Sequence, residues 1–218
     1  MTMKKIISQI LKMPYHKNYA ATSGAVHNIA KHEDAVEDSF VNNGLKEWNP
    51  SFTKKSKKSP ISKKRRDEVL ETKQFPEMPD NSYISQPCGT HNSPDFIVKC
   101  RGKIYMIECK SAKGGTPMYN SGVPTSEYVY IFTSEKHNAT TVYWGKDVLG
   151  IESKRLIEEH IAEARRQDEK LNKLLVDNGH GITYYTRPMI QHKGTKFKKD
   201  YFLNPERPQL EKRVLNGV

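Results

Sequence analysis

The chain has 218 residues, a formal net charge of +11 at pH 7 and a pI near 9.4. This length predicts one compact domain with an extension, and the excess of basic residues is typical of a protein that binds a polyanion, whether DNA, RNA or an anionic membrane. No apolar run reaches the roughly 20 residues of a membrane-spanning helix, and residues 1–13 are too short and polar for a secretory signal, so we expect a cytosolic protein.

The cysteines and glycines exclude further classes of site. Cys88, Cys100 and Cys109 form no Cys-x-x-Cys pair and have no histidine at zinc-site spacing. We therefore expect reduced, buried packing residues. No glycine-rich phosphate-binding loop is present, so no nucleotide cofactor is expected.

The first part of the chain predicts two helices and a basic segment. A short helix is predicted over residues 4–13, and a second over residues 32–45, where apolar residues recur on one face and Gly44 provides a C-terminal stop. Residues 53–66 then contain eight basic side chains and no acid. They predict either a solvated linker or, as we favour, a basic arm that contacts DNA phosphates. The DNA-binding candidates of this arm are Lys63, Lys64, Arg65 and Arg66.

A β-hairpin is predicted between Ser93 and Ala112, because two apolar runs flank a basic turn at residues 101–103. Side chains alternate between the two faces of a strand, so Glu108 and Lys110 point the same way while Ile107 and Cys109 point into a core.

Asp95 begins the first arm of this hairpin, directly after a proline that favours an extended chain, and reaches the same end as Glu108. Two carboxylates this close repel each other unless a divalent cation lies between them, and oxygen ligands suit Mg²⁺ or Mn²⁺. The predicted chemistry is metal-assisted attack of water on a phosphodiester.

Pro94-Asp95, followed after twelve residues by Glu108-Cys109-Lys110, resembles the signature of the PD-(D/E)XK nuclease superfamily. The helix over residues 32–45 is similar to the first helix of that family, and the resemblance covers roughly residues 30–145. From these elements we expect an α/β fold with a central mixed β-sheet that carries the hairpin, flanked by that helix and by a long helix near residues 152–177.

The resemblance also implies a role for each residue of the motif. Asp95 and Glu108 would bind Mg²⁺, for which Mn²⁺ can substitute, and the carbonyl of Cys109 would add a ligand. Lys110 would orient or deprotonate the attacking water. Glu33 stands where such nucleases often have a further acid of the metal site. Its alternative role is that of an exposed acid in the first turn of a helix.

Among nucleases of this superfamily, a small basic chain without a helicase domain most resembles a type II restriction endonuclease. The implied activity is sequence-specific cleavage of double-stranded DNA by a homodimer, since a two-fold dimer matches a two-fold DNA site. A Holliday-junction resolvase, which uses the same site on branched DNA, is the first alternative. A non-catalytic DNA-binding module is the second.

Residues 111–126 follow the hairpin and contain three glycines and two prolines, which exclude a regular helix. They form either an ordinary connection or, as we favour, a DNA-facing loop, because long irregular stretches in compact domains usually have a function. Asn120 can pair with adenine and Lys113 with guanine, while Thr116 and Ser121 can bond to several base edges.

The remaining predicted elements are strands at residues 127–133, 140–144 and 182–186 and a helix at residues 152–177. In the simplest members of the superfamily a helix separates the hairpin from the next strand. None is predicted here, which leaves the topology after Lys110 open. Basic and aromatic residues alternate over residues 187–202, as in an edge strand or in a nucleic-acid groove that includes Lys193 and Lys196.

Overall fold

The computed structural model describes residues 2–16, 28–50, 60–90, 92–120, 122–179, 181–192 and 199–218. Its helices are α1 (Met3–Ile10), α2 (Asn28–Val41), α3 (Lys63–Thr72), α4 (Ile151–Asp177) and α5 (Arg207–Gly217). Its strands are β1 (Lys46–Glu47), β2 (Ser82–Ser85), β3 (Phe96–Cys100), β4 (Lys103–Ala112), β5 (Met118–Tyr119), β6 (Tyr128–Ser134), β7 (Ala139–Trp144) and β8 (Ile190–Gln191). No described helix has an apolar stretch long enough to cross a membrane.

A six-stranded mixed sheet in the order β1-β2-β3-β4-β6-β7 forms the centre of the molecule. Strands β3 and β4 are the predicted antiparallel hairpin, joined through Arg101 and Gly102, both with positive φ. Positive φ at both central residues is typical of the tightest hairpin turns. Strand β4 pairs with β6 in parallel, and β5 pairs with β8 in a separate two-stranded sheet. The predicted α/β class and central mixed sheet are confirmed.

The two faces of the sheet are covered by different parts of the chain. On one face α1, α2 and α5 pack their apolar side chains, among them Phe40 and Val214, against Phe96 and Ile107. On the other face α3 and the residues around Tyr201 cover the rest of the sheet. The three cysteines are buried and free, as predicted. Gly44, with φ of +77°, ends the turn after α2 as its stop signal predicts.

The long helix α4 has the predicted range, but the expectation that it flanks the sheet is wrong. None of its described side chains is buried, and Leu156 and Leu174 are 53% and 59% exposed. Along β7 the sheet is covered by α5, which the sequence analysis did not predict. The charges of α4 keep most of its surface in water, and its narrow apolar stripe lies against residues 186–191.

The predicted strand at residues 182–186 is also absent, because side chains of α4 bind its main chain. Asn172 accepts a hydrogen bond from the Tyr184 N–H (2.6 Å) and donates one to the Tyr184 carbonyl (2.7 Å). Asp168 accepts from the N–H and the hydroxyl of Thr186. These main-chain groups are therefore bonded to side chains of α4. Within residues 181–192 the chain pairs as a strand only at β8.

Helix α3 begins within the predicted basic arm. Ser62 caps it by accepting a hydrogen bond from the Arg65 N–H at 3.1 Å, so Lys63 to Arg66 form its first turn rather than an irregular segment. Residues 53–59 of the arm lie outside the described residues.

Candidate active site

A cavity of about 340 Å³ lies beside the start of β3 and the middle of β4. Its walls include Glu33, Asp95, Glu108 and Lys110, and we call it the acidic cavity. The four residues come from three separate elements: α2, the entry to β3, and β4. The structure thus brings together all four residues that the sequence analysis named as catalytic.

Asp95 is fixed by its own main chain and by the neighbouring strand. Its N–H donates to the Ile107 carbonyl at 3.0 Å, which continues the β3–β4 ladder by one residue. Its carboxylate Oδ2 accepts from the Cys109 N–H at 2.7 Å. The side chain is 9% exposed, so both the position and the direction of this carboxylate are set by the hairpin.

Glu108 and Lys110 point to the same side of β4, as strand alternation predicts. Lys110 Nζ donates to Glu108 Oε1 at 2.6 Å. The intervening Cys109 and the preceding Ile107 are buried in the core on the opposite face. The second oxygen of Glu108, Oε2, is buried without a hydrogen-bond partner in the described part of the chain.

Gln86 links two of the acids, and the sequence analysis did not find it. Its amide Nε2 donates to Glu33 Oε2 at 2.8 Å and lies 3.4 Å from Asp95 Oδ1. Its main-chain N–H donates to the Asp95 carbonyl at 2.7 Å. Gln86 has a φ of +46°, a conformation uncommon outside glycine and frequent at functional sites. The one signal in the sequence is its place between a strand and Pro87.

Asp95 and Glu33 hold protons more strongly than isolated carboxyl groups do. Burial, and then the negative charges of Glu108 and Glu33, raise the pKa of Asp95 well above its ordinary value. Burial and the charge of Glu108 raise the pKa of Glu33 to about 7. Burial lowers the pKa of Lys110, but the adjacent Glu108 carboxylate outweighs it, and the net shift is upward. Lys110 is therefore a stable ammonium group.

The donor set fits one hard divalent cation held by two carboxylates. Among the described residues no three His, Cys, Asp or Glu side chains form a group that could hold a metal ion. Mg²⁺, however, is commonly bound through one or two carboxylates, with water completing its shell. Asp95 and the unpartnered oxygen of Glu108 meet that requirement. Cys109 lines the same cavity through its main chain, since its thiol belongs to the core.

The predicted base-reading residues have different positions. Asn120 lines the acidic cavity, and Lys113 is exposed after β4. The hydroxyl of Thr116 donates to the Lys199 carbonyl at 2.9 Å, which joins the loop to the C-terminal segment. Ser121, Lys193 and Lys196 lie outside the described residues.

The two lysines and the two arginines of α3 differ in their contacts. Lys63 and Lys64 have exposed side chains. Arg65 contacts the carboxylates of Glu68 and Glu77, and Arg66 bonds to Asp67 and to the Ser93 carbonyl. The Arg66 bond places the start of α3 next to the entry of β3.

Arg187 is a further residue of the acidic cavity that the sequence analysis did not select. It lies after α4, far along the chain from the hairpin, at the start of the segment 187–202 that the sequence predicted as an edge strand or a nucleic-acid groove.

Comparisons with protein-family models, curated proteins and solved structures gave no match. The functional assignment therefore rests on the chemistry of the acidic cavity.

Proposed function

We propose that this chain is a Mg²⁺-dependent, sequence-specific endonuclease of double-stranded DNA, resembling type II restriction enzymes. The observation that carries the proposal is the joint presence of Asp95, Glu108 and Lys110 in one cavity, with the Asp95 carboxylate oriented by the Cys109 N–H. The negative charge of Glu108 raises the pKa of Asp95, and a divalent cation bound between the two carboxylates would remove that repulsion.

Each residue of the acidic cavity has its own role in the proposed reaction. Asp95 and Glu108 would hold Mg²⁺, which would polarise the phosphodiester and lower the pKa of a bound water. In the proposed reaction, the oxygen of a water molecule would form a new bond to phosphorus and release its proton to solvent, while the bond to the leaving oxygen would break and that oxygen would take up a proton from solvent. Lys110, as an ammonium group, orients the water and offsets the negative charge that develops on the phosphate oxygens.

The charge of the chain supports a nucleic-acid substrate, and the need to cut both strands is the reason for proposing a homodimer. A net charge of +11 favours a polyanion, and duplex DNA presents its phosphates at regular spacing. Cutting both strands at one site requires two active sites, which a homodimer with two-fold symmetry supplies.

Gln86 supports the chemistry by holding Glu33 and Asp95 in place.

A digest of long linear DNA of known sequence, with Mg²⁺, tests the proposal. We expect discrete fragments, their loss in excess EDTA, and their loss with Asp95→Asn, which keeps the side-chain shape. Cleavage confined to branched DNA would replace the proposal with a junction resolvase. Binding without cleavage would point to a non-catalytic module, and cleavage that survives EDTA would refute the metal mechanism.

A further inference from the structure

Arg187 lines the acidic cavity although it belongs to the segment that follows α4. Its Nε donates to the Asn120 carbonyl at 3.0 Å. Its two terminal nitrogens make no hydrogen bond with any residue that the structure describes. The side chain is thus oriented by one contact, keeps two donor nitrogens that bond to no described residue, and lines the same cavity as the carboxylates.

The segment around Arg187 is held on both sides. Before it, Asp168 on α4 binds the main chain and the hydroxyl of Thr186. After it, Ile190 and Gln191 pair with Tyr119 and Met118. These contacts join α4 to the loop that leaves the catalytic strand, so the position of Arg187 at the cavity does not depend on the Asn120 contact alone.

Of the two cations that line the cavity, Arg187 is the one without an ion pair to a described carboxylate, so it can receive a phosphate. Three carboxylates face two cations there, and Lys110 is 2.6 Å from Glu108. A phosphodiester brings another negative charge into this space. A guanidinium group offers two parallel N–H donors, which match two oxygens of one phosphate.

We propose that Arg187 binds a backbone phosphate next to the scissile bond and thereby positions the DNA strand in the acidic cavity. This inference rests on the proposed endonuclease function. It makes α4 and residues 181–192, which we call the α4 arm, a part of the substrate site and not an appendage of the sheet. Arg187 is a substrate-binding residue in this role, and the chemistry stays with Asp95, Glu108 and Lys110.

The test compares Arg187→Ala and Arg187→Lys with Arg165→Ala as the matched control. Arg165 is an exposed cation on the same arm that lines a different cavity, with Ile157 and Thr186. All three changes are made in the Asp95→Asn background, which prevents cleavage. The probe is a duplex of about 30 base pairs centred on a site mapped in the digest. A series of such duplexes carries one uncharged methylphosphonate at successive positions around the cleaved bond.

We expect Arg187→Ala to weaken binding of the unmodified duplex about tenfold or more, as for loss of a charged hydrogen bond, and Arg165→Ala to change it little. At one position of the series, the methylphosphonate should weaken DNA binding by the protein that retains Arg187. At that position it should have no further effect on DNA binding by the Arg187→Ala variant. Arg187→Lys keeps the charge but not the donor pair, so the methylphosphonate at the same position should weaken its DNA binding by an intermediate amount. This variant replaces Arg187→Ala in the test if the alanine variant fails to fold.

Equal losses for Arg187→Ala and Arg165→Ala, or methylphosphonate effects that add to the Arg187→Ala loss at every position, would overturn this inference. In that case the wild-type chain would still cleave DNA, and the endonuclease proposal would stand. If the wild-type chain neither binds nor cleaves duplex DNA with Mg²⁺, both proposals fail.

Discussion

The two sides of the acidic cavity are built in opposite ways. On the hairpin side, Asp95 and Glu108 are 9% and 7% exposed, at the entry to β3 and on β4, and the neighbouring Phe96, Ile107 and Cys109 are buried in the core. On the α4 arm, the Arg187 side chain is held by one hydrogen bond, to the Asn120 carbonyl, and no described side chain of α4 is buried. In the proposed reaction, bond cleavage requires closely fixed acids, and the hairpin supplies them. Arg187, in an exposed segment anchored at Thr186 and at β8, would supply the substrate contact.

The largest expected difference between the two sides is in cleavage rate. Glu108→Gln keeps the shape of the side chain but removes a charge that offsets the cation, so we expect cleavage to fall by several orders of magnitude while DNA binding persists. Lys110→Ala should behave in the same way. Single-turnover cleavage and a binding titration measure both effects. A rate within tenfold of the wild-type rate for Glu108→Gln would remove Glu108 from the reaction centre.

Stability should show the same contrast between the sheet and the α4 arm. Phe96 is fully buried and contacts the rings of Phe40 and Tyr83, so Phe96→Ala should lower the free energy of unfolding by about 3–5 kcal/mol. Leu174 is 59% exposed and therefore buries little apolar surface, so Leu174→Ala should lower the free energy of unfolding by less than about 0.5 kcal/mol. Urea denaturation of both variants checks this. Comparable losses would mean that α4 is packed as firmly as the core.

The local chemistry of the hairpin could be predicted from the sequence, and the partners of α4 could not. Alternation along β4 fixes the faces of Glu108 and Lys110 whatever surrounds the strand, and the short hairpin brings Asp95 to the same end. The apolar pattern of α4 shows only that one face of the helix packs against another segment. The sequence does not identify that segment. The contact of Asn172 with Tyr184 decides that, and it also removes the predicted strand.

Gln86 and Arg187 illustrate the same limit within the site. Gln86 reaches the acidic cavity at the end of β2, opposite Asp95, through a positive φ, and Arg187 reaches it from a distant part of the chain, near the β5–β8 pairing. Neither has a spacing relative to Asp95 that would mark it. Residues of a site that lie on the same hairpin are thus accessible to sequence reasoning, whereas those supplied by tertiary contacts are not.

The raised pKa of Glu33 predicts a pH effect on the stability of the metal-free protein. Folding raises this pKa from 4.5 to about 7, so the folded chain holds the proton more tightly and loses stability as the pH rises through this range. Glu33→Gln removes that loss. The variant should therefore be more stable than the wild type at pH 8, on the order of 2 kcal/mol, and equally stable at pH 4. Thermal melts in EDTA at pH 4, 6 and 8 measure the difference. A difference that stays constant with pH would show that Glu33 does not titrate in this range.

The smallest expected effect concerns the basic first turn of α3, where the two lysines and the two arginines are used differently. Arg65 and Arg66 already bind acceptors of the protein, whereas Lys63 and Lys64 are exposed and available to phosphates. Each lysine that neutralises a phosphate adds about 0.9 to the slope of log affinity against log salt, because a counterion is released. Changing Lys63 and Lys64 together to alanine should therefore lower the slope by about two and leave sequence preference unchanged. Arg65→Ala should alter the slope less and stability more, since it breaks the contact with Glu77. Binding titrations at several salt concentrations separate these cases, and an unchanged slope in the double lysine variant would show that this turn is solvated and makes no contact with DNA.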